Sequence, residues 1–200
     1  SLRMAWLRRS NSLRKNIPDK GLIMPFTKTE FPGLLIFEPV VYGDSRGHFF
    51  ESYNEKVVAA EGIHMKFVQD NQSRSSHGVI RGLHYQLNPH AQTKLVRALS
   101  GNILDVVVDI RKGSPAYGKV FSTELSAENK KQLFIPAGFA HGFSVLSETA
   151  EVLYKCSAYY NKESEGGILY NDPVLNFDWK IPSGTEVVSG KDLENPSFAN

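Results

Sequence analysis

The stretch Val79-Ile80-Arg81-Gly82-Leu83-His84-Tyr85-Gln86 carries the residue types with the most chemical potential in this chain. Side chains of a strand alternate between its faces. Arg81, Leu83 and Tyr85 therefore share one face, and Ile80, His84 and Gln86 the other. Arg81 and His84 then project differently, unless Gly82 kinks or bulges the strand. Lys94 and Arg97 follow on the next apolar run, Lys94-Leu95-Val96-Arg97-Ala98-Leu99. A titratable base among fixed cations suits proton abstraction from an anionic substrate, because the cations stabilise the charge that develops. A strand histidine taken alone reads as a structural residue. His84 is not alone: a barrel interior could bring it together with Lys94, His141, Tyr154 and Asp192.

Two kinds of chemistry are open to such a set. A jelly-roll barrel often holds a metal on two histidines one residue apart, a carboxylate and a later histidine. Here Gln86 stands where the second histidine belongs, and His84, His141 and a glutamine are a poor set for zinc or iron. Acid–base work without a metal fits better. Histidine titrates near neutrality, and a carboxylate partner would orient it and raise its basicity. A cation would face the oxygen on which charge develops. A phenol across the substrate could return the proton. Base on one face and acid on the other is the minimum equipment for inverting a carbon centre. Tyr154 taken alone would read as a core aromatic with a satisfied hydroxyl.

The elements that must position these residues are short strands. Leu34–Phe37, Val40–Tyr42 and His48–Tyr53 read as strands, with a turn at Gly43-Asp44-Ser45-Arg46-Gly47. Asn54 to Glu61 is the best short helix, capped by Asn54 and stopped by Gly62. Phe67 to Gln72 reads as a strand and Ser73 to Gly78 as a polar loop. Lys94–Leu99 and Ile103–Ile110 are expected to form a hairpin across Ser100-Gly101-Asn102. Val120–Leu125, Gln132–Gly138, Ala140–Leu146 and Glu151–Cys156 continue the pattern. Many short strands at a spacing of about ten residues, with Gly/Pro turns, predict an all-β sandwich or barrel. From Asn161 onward the chain is loop-rich, and such a tail packs across the barrel surface or mouth.

Length and composition allow one domain: 200 residues, 41% hydrophobic, 22% charged. No apolar run is long enough to span a bilayer. The single cysteine, Cys156, excludes an internal disulfide and is compatible with a reduced cytoplasm, which is the expected compartment. A net charge of +2 is too small to argue for nucleic acid. Residues 1–24 carry six Lys or Arg against Asp19, a net +5, which leaves −3 on the remainder. This leader lacks the apolar core of a secretory signal. Met24-Pro25-Phe26-Thr27 looks like a second start, so residues 1–24 are set aside as accessory and 25–200 are taken as one functional domain.

Several segments, in order, resemble the dTDP-4-dehydrorhamnose 3,5-epimerase family. They are Phe37-Glu38-Pro39, Gly43 to Gly47 with Phe50 to Tyr53, Phe67 to Asn71, Arg81 to Gln86, Lys94 to Arg97, Asp105 to Arg111, Ile135 to Phe143, Tyr154-Lys155-Cys156 with Tyr159-Tyr160, Glu165-Gly166-Gly167 and Asn171-Asp172-Pro173. Singly each is weak; together they are specific. The resemblance implies a cupin-type β jelly roll, a homodimer, and no metal or organic cofactor. It implies conversion of dTDP-4-dehydro-6-deoxy-D-glucose into dTDP-4-dehydro-L-rhamnose. It further implies His84 as base, Asp192 as its carboxylate partner, Lys94 on the developing enolate and Tyr154 as proton donor. Asp109 competes for the place beside His84. Arg81 and Arg46 would hold the diphosphate. Phe49, Glu51, Gln69, Asn71 and Tyr160 would surround the nucleoside, and His141, Glu165 and Lys191 would line the site. Competing readings are a single-centre epimerase, a sugar-nucleotide ketoisomerase, a non-catalytic binding module and a metal-dependent oxygenase.

Overall fold

The computed structural model describes residues 25–198. The basic leader, residues 1–24, lies outside the described residues.

The chain folds as two facing sheets of short strands. The first four strands are β1 (Phe26–Lys28), β2 (Leu35–Phe37), β3 (Tyr42–Asp44) and β4 (Gly47–Phe49). Helix α1 (Glu55–Ala60) follows, and Asn54 caps it as expected: its backbone is extended and its side chain accepts from Lys56 N. The central strands are β5 (Gln69–Ser76), β6 (Val79–Gln86), β7 (Lys94–Ser100), β8 (Asn102–Asp109), β9 (Val120–Ser126), β10 (Gln132–Ile135), β11 (Phe139–Val145) and β12 (Thr149–Cys156). The tail adds β13 (Glu165–Gly167), β14 (Val187–Val188) and the single-turn helix α2 (Gly190–Leu193).

One sheet has the order β1-β2-β10-β7-β12-β5, and the other β13-β6-β11-β8-β9, with β14 also on β6. Strands β3 and β4 form a separate hairpin. Between the two large sheets lies the core, which includes Val96, Ile103, Val107, Leu125, Leu133, Ile135, Phe139, Phe143, Val145 and Val152. The outer face of the second sheet presents Ile80, Leu83, Leu104, Val106, Val108 and Ala140. The tail covers it with Ile168, Leu175, Trp179 and Ile181. The outer face of the first sheet is covered around Val58 of α1. With both faces buried, β8 reads as a nearly continuous apolar run rather than an alternating one.

Several local expectations change. The strand expected at Val40–Tyr42 begins only at Tyr42, and the one expected over His48–Tyr53 ends at Phe49, so these two form only a short hairpin about the turn. The runs Lys94–Leu99 and Ile103–Ile110 do not form a hairpin. Strand β7 lies between β10 and β12, whereas β8 lies between β11 and β9 in the other sheet. Gly101, at φ +71°, turns the chain across the sandwich, and a Cβ there would meet Thr149 O at 2.1 Å. A turn signal reports a reversal but does not say which neighbour the chain then pairs with. The polar stretch Ser73–Gly78 is also mostly strand. Strand β5 runs to Ser76 and pairs along its whole length with β12 as an edge. Its polar composition on both faces hid it.

The second sheet contains the irregularity that matters most for the site. His84 pairs with His141, but Arg81 pairs with Phe143, so two residues of β6 face one of β11. Gly82 and Leu83 form a bulge. The bulge reverses the alternation. Leu83 goes to the outer cluster, while Arg81 and His84 both line the interior pocket. Gly82 has φ +128°, and a Cβ on it would lie 2.5 Å from Gly142 Cα and 2.8 Å from His141 O. Only glycine fits there. The variant Gly82→Ala is expected to lose about 2–4 kcal/mol of stability through strain and overpacking at a paired strand. Urea denaturation checks this; a midpoint within error of wild type would contradict the bulge geometry.

Candidate active site

A cavity of about 520 Å³ opens between the sheets. Its lining includes Arg81, His84, Lys94, His141, Tyr154 and Asp192. They come from both sheets and the tail. Arg81 and His84 come from β6 and His141 from β11. Lys94 (β7) and Tyr154 (β12) reach in from the opposite sheet. Asp192 arrives with the tail on α2.

The tail is seated by the edge of β6. Strand β14 pairs in parallel with Val79 and Ile80, and β13 pairs antiparallel with His84, Tyr85 and Gln86. Ile168 extends the pairing to both backbone groups of Leu83, which leaves the edge open only at Arg81 and Gly82. Asp192 enters near that gap: His84 Nε2 lies 2.6 Å from its Oδ1, and Gly82 N donates to its Oδ2 at 3.3 Å. Ser189 caps α2, its hydroxyl accepting from Asp192 N. Asp192 is 4% exposed. Burial pushes its carboxyl up, but the hydrogen bond and charge of His84, with the Gly82 N–H and Ser189, outweigh burial and hold it below the usual carboxylate range.

The competitor Asp109 is elsewhere. Its carboxylate accepts from Arg111 Nε at 2.9 Å, Arg111 Nη2 at 2.6 Å and Ser114 Oγ at 2.6 Å. It braces the turn after β8, and Asp192 takes the place beside His84.

Lys94 and Tyr154 meet across the first sheet, the ammonium 5.8 Å from the ring centroid. Burial lowers the Lys94 pKa, against Cys156, Asp105 and Glu165, which raise it. Among the described residues Lys94 Nζ makes no hydrogen bond or ion pair, so it is left for a ligand. Burial raises the Tyr154 pKa, with Cys156 adding to the rise and Arg81 opposing it. The phenol therefore stays protonated through neutral pH. Arg81 is held from behind, its Nε donating to Ser75 Oγ at 3.0 Å.

Around the mouth, Glu165 Oε2 accepts from Lys191 Nζ at 2.7 Å and from Tyr160 Oη at 3.0 Å. Tyr160 N donates to Gln69 Oε1 at 3.1 Å, and Gln69 Nε2 donates to Asn71 Oδ1 at 2.9 Å. Gln69, Asn71, Tyr160, Glu165 and Lys191 thus form one connected set, of which only Lys191 is part of the cavity lining. Gln86, which stands where a metal-binding histidine would, is used as a brace. Its amide donates to His90 O at 2.6 Å and Tyr159 O at 3.2 Å and accepts from Asn161 N. Among the described residues no three His, Cys, Asp or Glu side chains are grouped to hold a metal ion.

Three expected residues are not gathered. Arg46, Phe49 and Glu51 lie on or beside the β3–β4 hairpin, all exposed, with Arg46 paired to Asp44 and Phe49 67% exposed. They do not line the pocket of their own chain. Two functional candidates escaped the sequence reading: Asp105, 0% exposed beside His141, and Ser75 behind Arg81. A carboxylate interrupting the apolar run Ile103 to Ile110 was the available signal for Asp105.

The model of the dTDP-4-dehydrorhamnose 3,5-epimerase family matches residues 28–200. The chain belongs to this family. It is thereby an enzyme of the isomerase class. It is 53% identical to dTDP-4-dehydrorhamnose 3,5-epimerase of Shigella flexneri over 178 residues, covering 88% of this chain and 97% of that protein. The crystal structure of dTDP-4-dehydrorhamnose 3,5-epimerase from Elizabethkingia anophelis superposes with a TM-score of 0.84 at 52% identity, over 87% of this chain and 96% of that one. A dTDP-6-deoxy-D-glucose-3,5-epimerase from Legionella pneumophila, solved with dTDP-4-keto-L-rhamnose, gives a TM-score of 0.82 at 48% identity, over 86% and 91% of the two chains. These neighbours share the cupin-like jelly roll described above. Among the described residues no helix is long and apolar enough to cross a membrane.

The depressed carboxylate of Asp109 has a consequence for stability. Burial raises its pKa, but the hydrogen bonds from Arg111 and Ser114 win and lower it overall. Its contribution to folding is complete above the unfolded pKa of about 4 and is lost as pH falls through the lower folded value. In Asp109→Asn, stability should be lower near pH 6, by about 1–3 kcal/mol. It should also change less than wild type between pH 5 and pH 2. Thermal melts across that range measure both; parallel curves for the two proteins would refute it.

Proposed function

We propose that the chain epimerises dTDP-4-dehydro-6-deoxy-D-glucose at C3 and C5, giving dTDP-4-dehydro-L-rhamnose. The observation that carries this reading is the placement of base and acid. The His84–Asp192 pair and the Tyr154 phenol come from opposite sides of one cavity. A sugar ring between them has one face to the imidazole and the other to the phenol.

The C4 ketone acidifies the protons on C3 and C5. His84 takes each proton in turn, its Nε2 held by Asp192, which orients the ring and stabilises the imidazolium that forms. Lys94, unpaired and desolvated, donates to the C4 oxygen as charge moves onto it. Tyr154 returns a proton from the far face, so the centre inverts. No step calls on a metal or an organic cofactor. Arg81 holds the diphosphate. Gln69, Asn71 and Tyr160 enclose the nucleoside, with Glu165, Lys191 and His141 at the sugar. In this reading the reaction belongs to the cytoplasm, where a single buried thiol, Cys156, needs no partner.

A homodimer completes the reading. Arg46, Phe49 and Glu51 are implied as substrate contacts by the family pattern, yet they stand on an exposed hairpin away from their own pocket. The hairpin and the segment leading to it also expose Val40, Val41, Tyr42 and Phe49. An exposed apolar patch with a charged tip fits a second copy, whose site it would finish. Light scattering should give a dimer at micromolar concentration. A stable monomer with full activity would refute this part.

The chemistry is tested by exchange. Incubated with the substrate in D2O, the enzyme should incorporate deuterium at both C3 and C5 and give product inverted at both. Exchange at C3 alone would leave a single-centre epimerase, and no exchange at either carbon would leave a binding module. His84→Asn should lose about 10²–10⁴-fold in kcat, the usual contribution of a general base. Tyr154→Phe should keep C–H exchange while losing inversion at the centre it protonates. A His84→Asn protein with full turnover would end the assignment of the base.

A further inference from the structure

His84 is not the only imidazole in the pocket anchored by a carboxylate. Its partner across the strand pair is His141, opposite it in register on β11. His141 Nε2 lies 3.1 Å and 3.0 Å from the two oxygens of Asp105. Asp105 sits on β8 and is 0% exposed, and His141 is 6% exposed. Among the described residues this pair has no other side-chain hydrogen bond. A carboxylate can only accept, so the proton of that contact resides on Nε2. The second ring nitrogen, Nδ1, has no partner among the described residues. It is also absent from the sealed and unpaired polar atoms, which belong to Glu61, Ser73, Asn102 and Asn195. His141 lines the cavity, so Nδ1 is its ring nitrogen left available to what the cavity holds.

We propose that Asp105 is a positioning residue of the epimerase, holding His141 as the Nε2–H tautomer so that Nδ1 accepts a hydrogen bond from a ring hydroxyl of the sugar. This rests on the functional reading above and extends it to a residue outside the family pattern of base, acid and cation. The division of labour follows from chemistry. A ring bearing a ketone and free hydroxyls needs a donor at the ketone and acceptors at the hydroxyls. Lys94, Arg81 and Tyr154 are donors. A neutral imidazole with its proton turned away is an acceptor.

The electrostatics agree. Burial lowers the His141 pKa, Asp105 opposes it through charge and hydrogen bond, and Lys94 and His84 add to the lowering. The net direction favours neutral imidazole. Tyr154 on β12 and Arg81 on β6 also line the cavity, and neither supplies a negative charge near neutral pH.

Two measurements test this. The first is the tautomer of His141 in the wild-type enzyme, read from its ring 15N shifts and assigned with His141→Gln. The Nε2–H form is expected; a proton on Nδ1 would overturn the proposal, whatever the variants do. The second is Asp105→Asn, in which the amide can donate to Nε2 and force the proton to Nδ1. Asparagine for the orienting aspartate of a catalytic triad costs about 10⁴-fold in kcat. Here the histidine binds rather than transfers protons, and a fall of about 10–100-fold is expected. Affinity for dTDP, which lacks the sugar, should stay within twofold. The double variant Asp105→Asn, His141→Gln should be no slower than the slower single variant, because the two act as a unit. Wild-type turnover in Asp105→Asn would overturn the proposal. An inactive wild type would instead refute the functional reading and leave the tautomer result standing.

Discussion

A regular strand at β6 would leave Arg81 and His84 on opposite faces, and no single pocket could use both. The bulge at Gly82 and Leu83 removes that constraint. It returns Leu83 to the apolar layer under the tail and turns His84 inward. It also leaves the Gly82 N–H pointing at the open edge, where Asp192 accepts it. Asp192 takes the imidazole with its other oxygen, so one carboxylate satisfies the irregular backbone and the titratable side chain together. A buried polar group left unpaired costs about 1–3 kcal/mol. The tail is therefore held at the site by the same interaction that prepares the site.

The rest of the architecture supports this clasp. Trp179 and Ile181 bury the stretch that carries the chain back to β14, and Ser144 Oγ donates to Trp179 O at 2.7 Å. Strands β13 and β14 share one edge of β6 and leave the gap beside the bulge. The Lys191–Glu165–Tyr160 contacts tie α2 to β13. Polar side chains enter the cavity from two sheets and a tail, and each is either paired from behind, as His84, His141 and Arg81 are, or, as Lys94, has no hydrogen bond or ion pair among the described residues. Buried charges interact more strongly than charges in water, so burial and a few close neighbours set the direction in which Lys94, His141, Tyr154 and Asp192 shift.

Much of this was legible in the chain. The Asn54 cap, the short alternating strands, the apolar run of β8 and the loop-rich tail as a cover are local signals, and the fold kept them. The residues of the pocket were legible as well, because their types are rare together and the segments that carry them match a family pattern. The β7–β8 pairing was misread because a turn looks the same whether the chain returns to its own sheet or crosses to another. Strand β5 was misread because an edge beside a polar cavity has no apolar face to announce it. Asp105 was passed over because a carboxylate within an apolar strand declares burial but not its partner.

The sequence by itself determined the residue types, the period-two patterning and the glycine at position 82, and with them an all-β fold that carries a histidine, a lysine and a phenol for its pocket. Those properties are local, written in side-chain chemistry and in the conformations each backbone position allows. Only the tertiary structure decided that Arg81 and His84 share a face, that Asp192 rather than Asp109 meets His84, that Asp105 stands behind His141, and that Arg46 and Phe49 lie away from their own pocket. Each of those depends on register between strands far apart in the chain. Register is set by how whole sheets pack, not by any neighbouring residue.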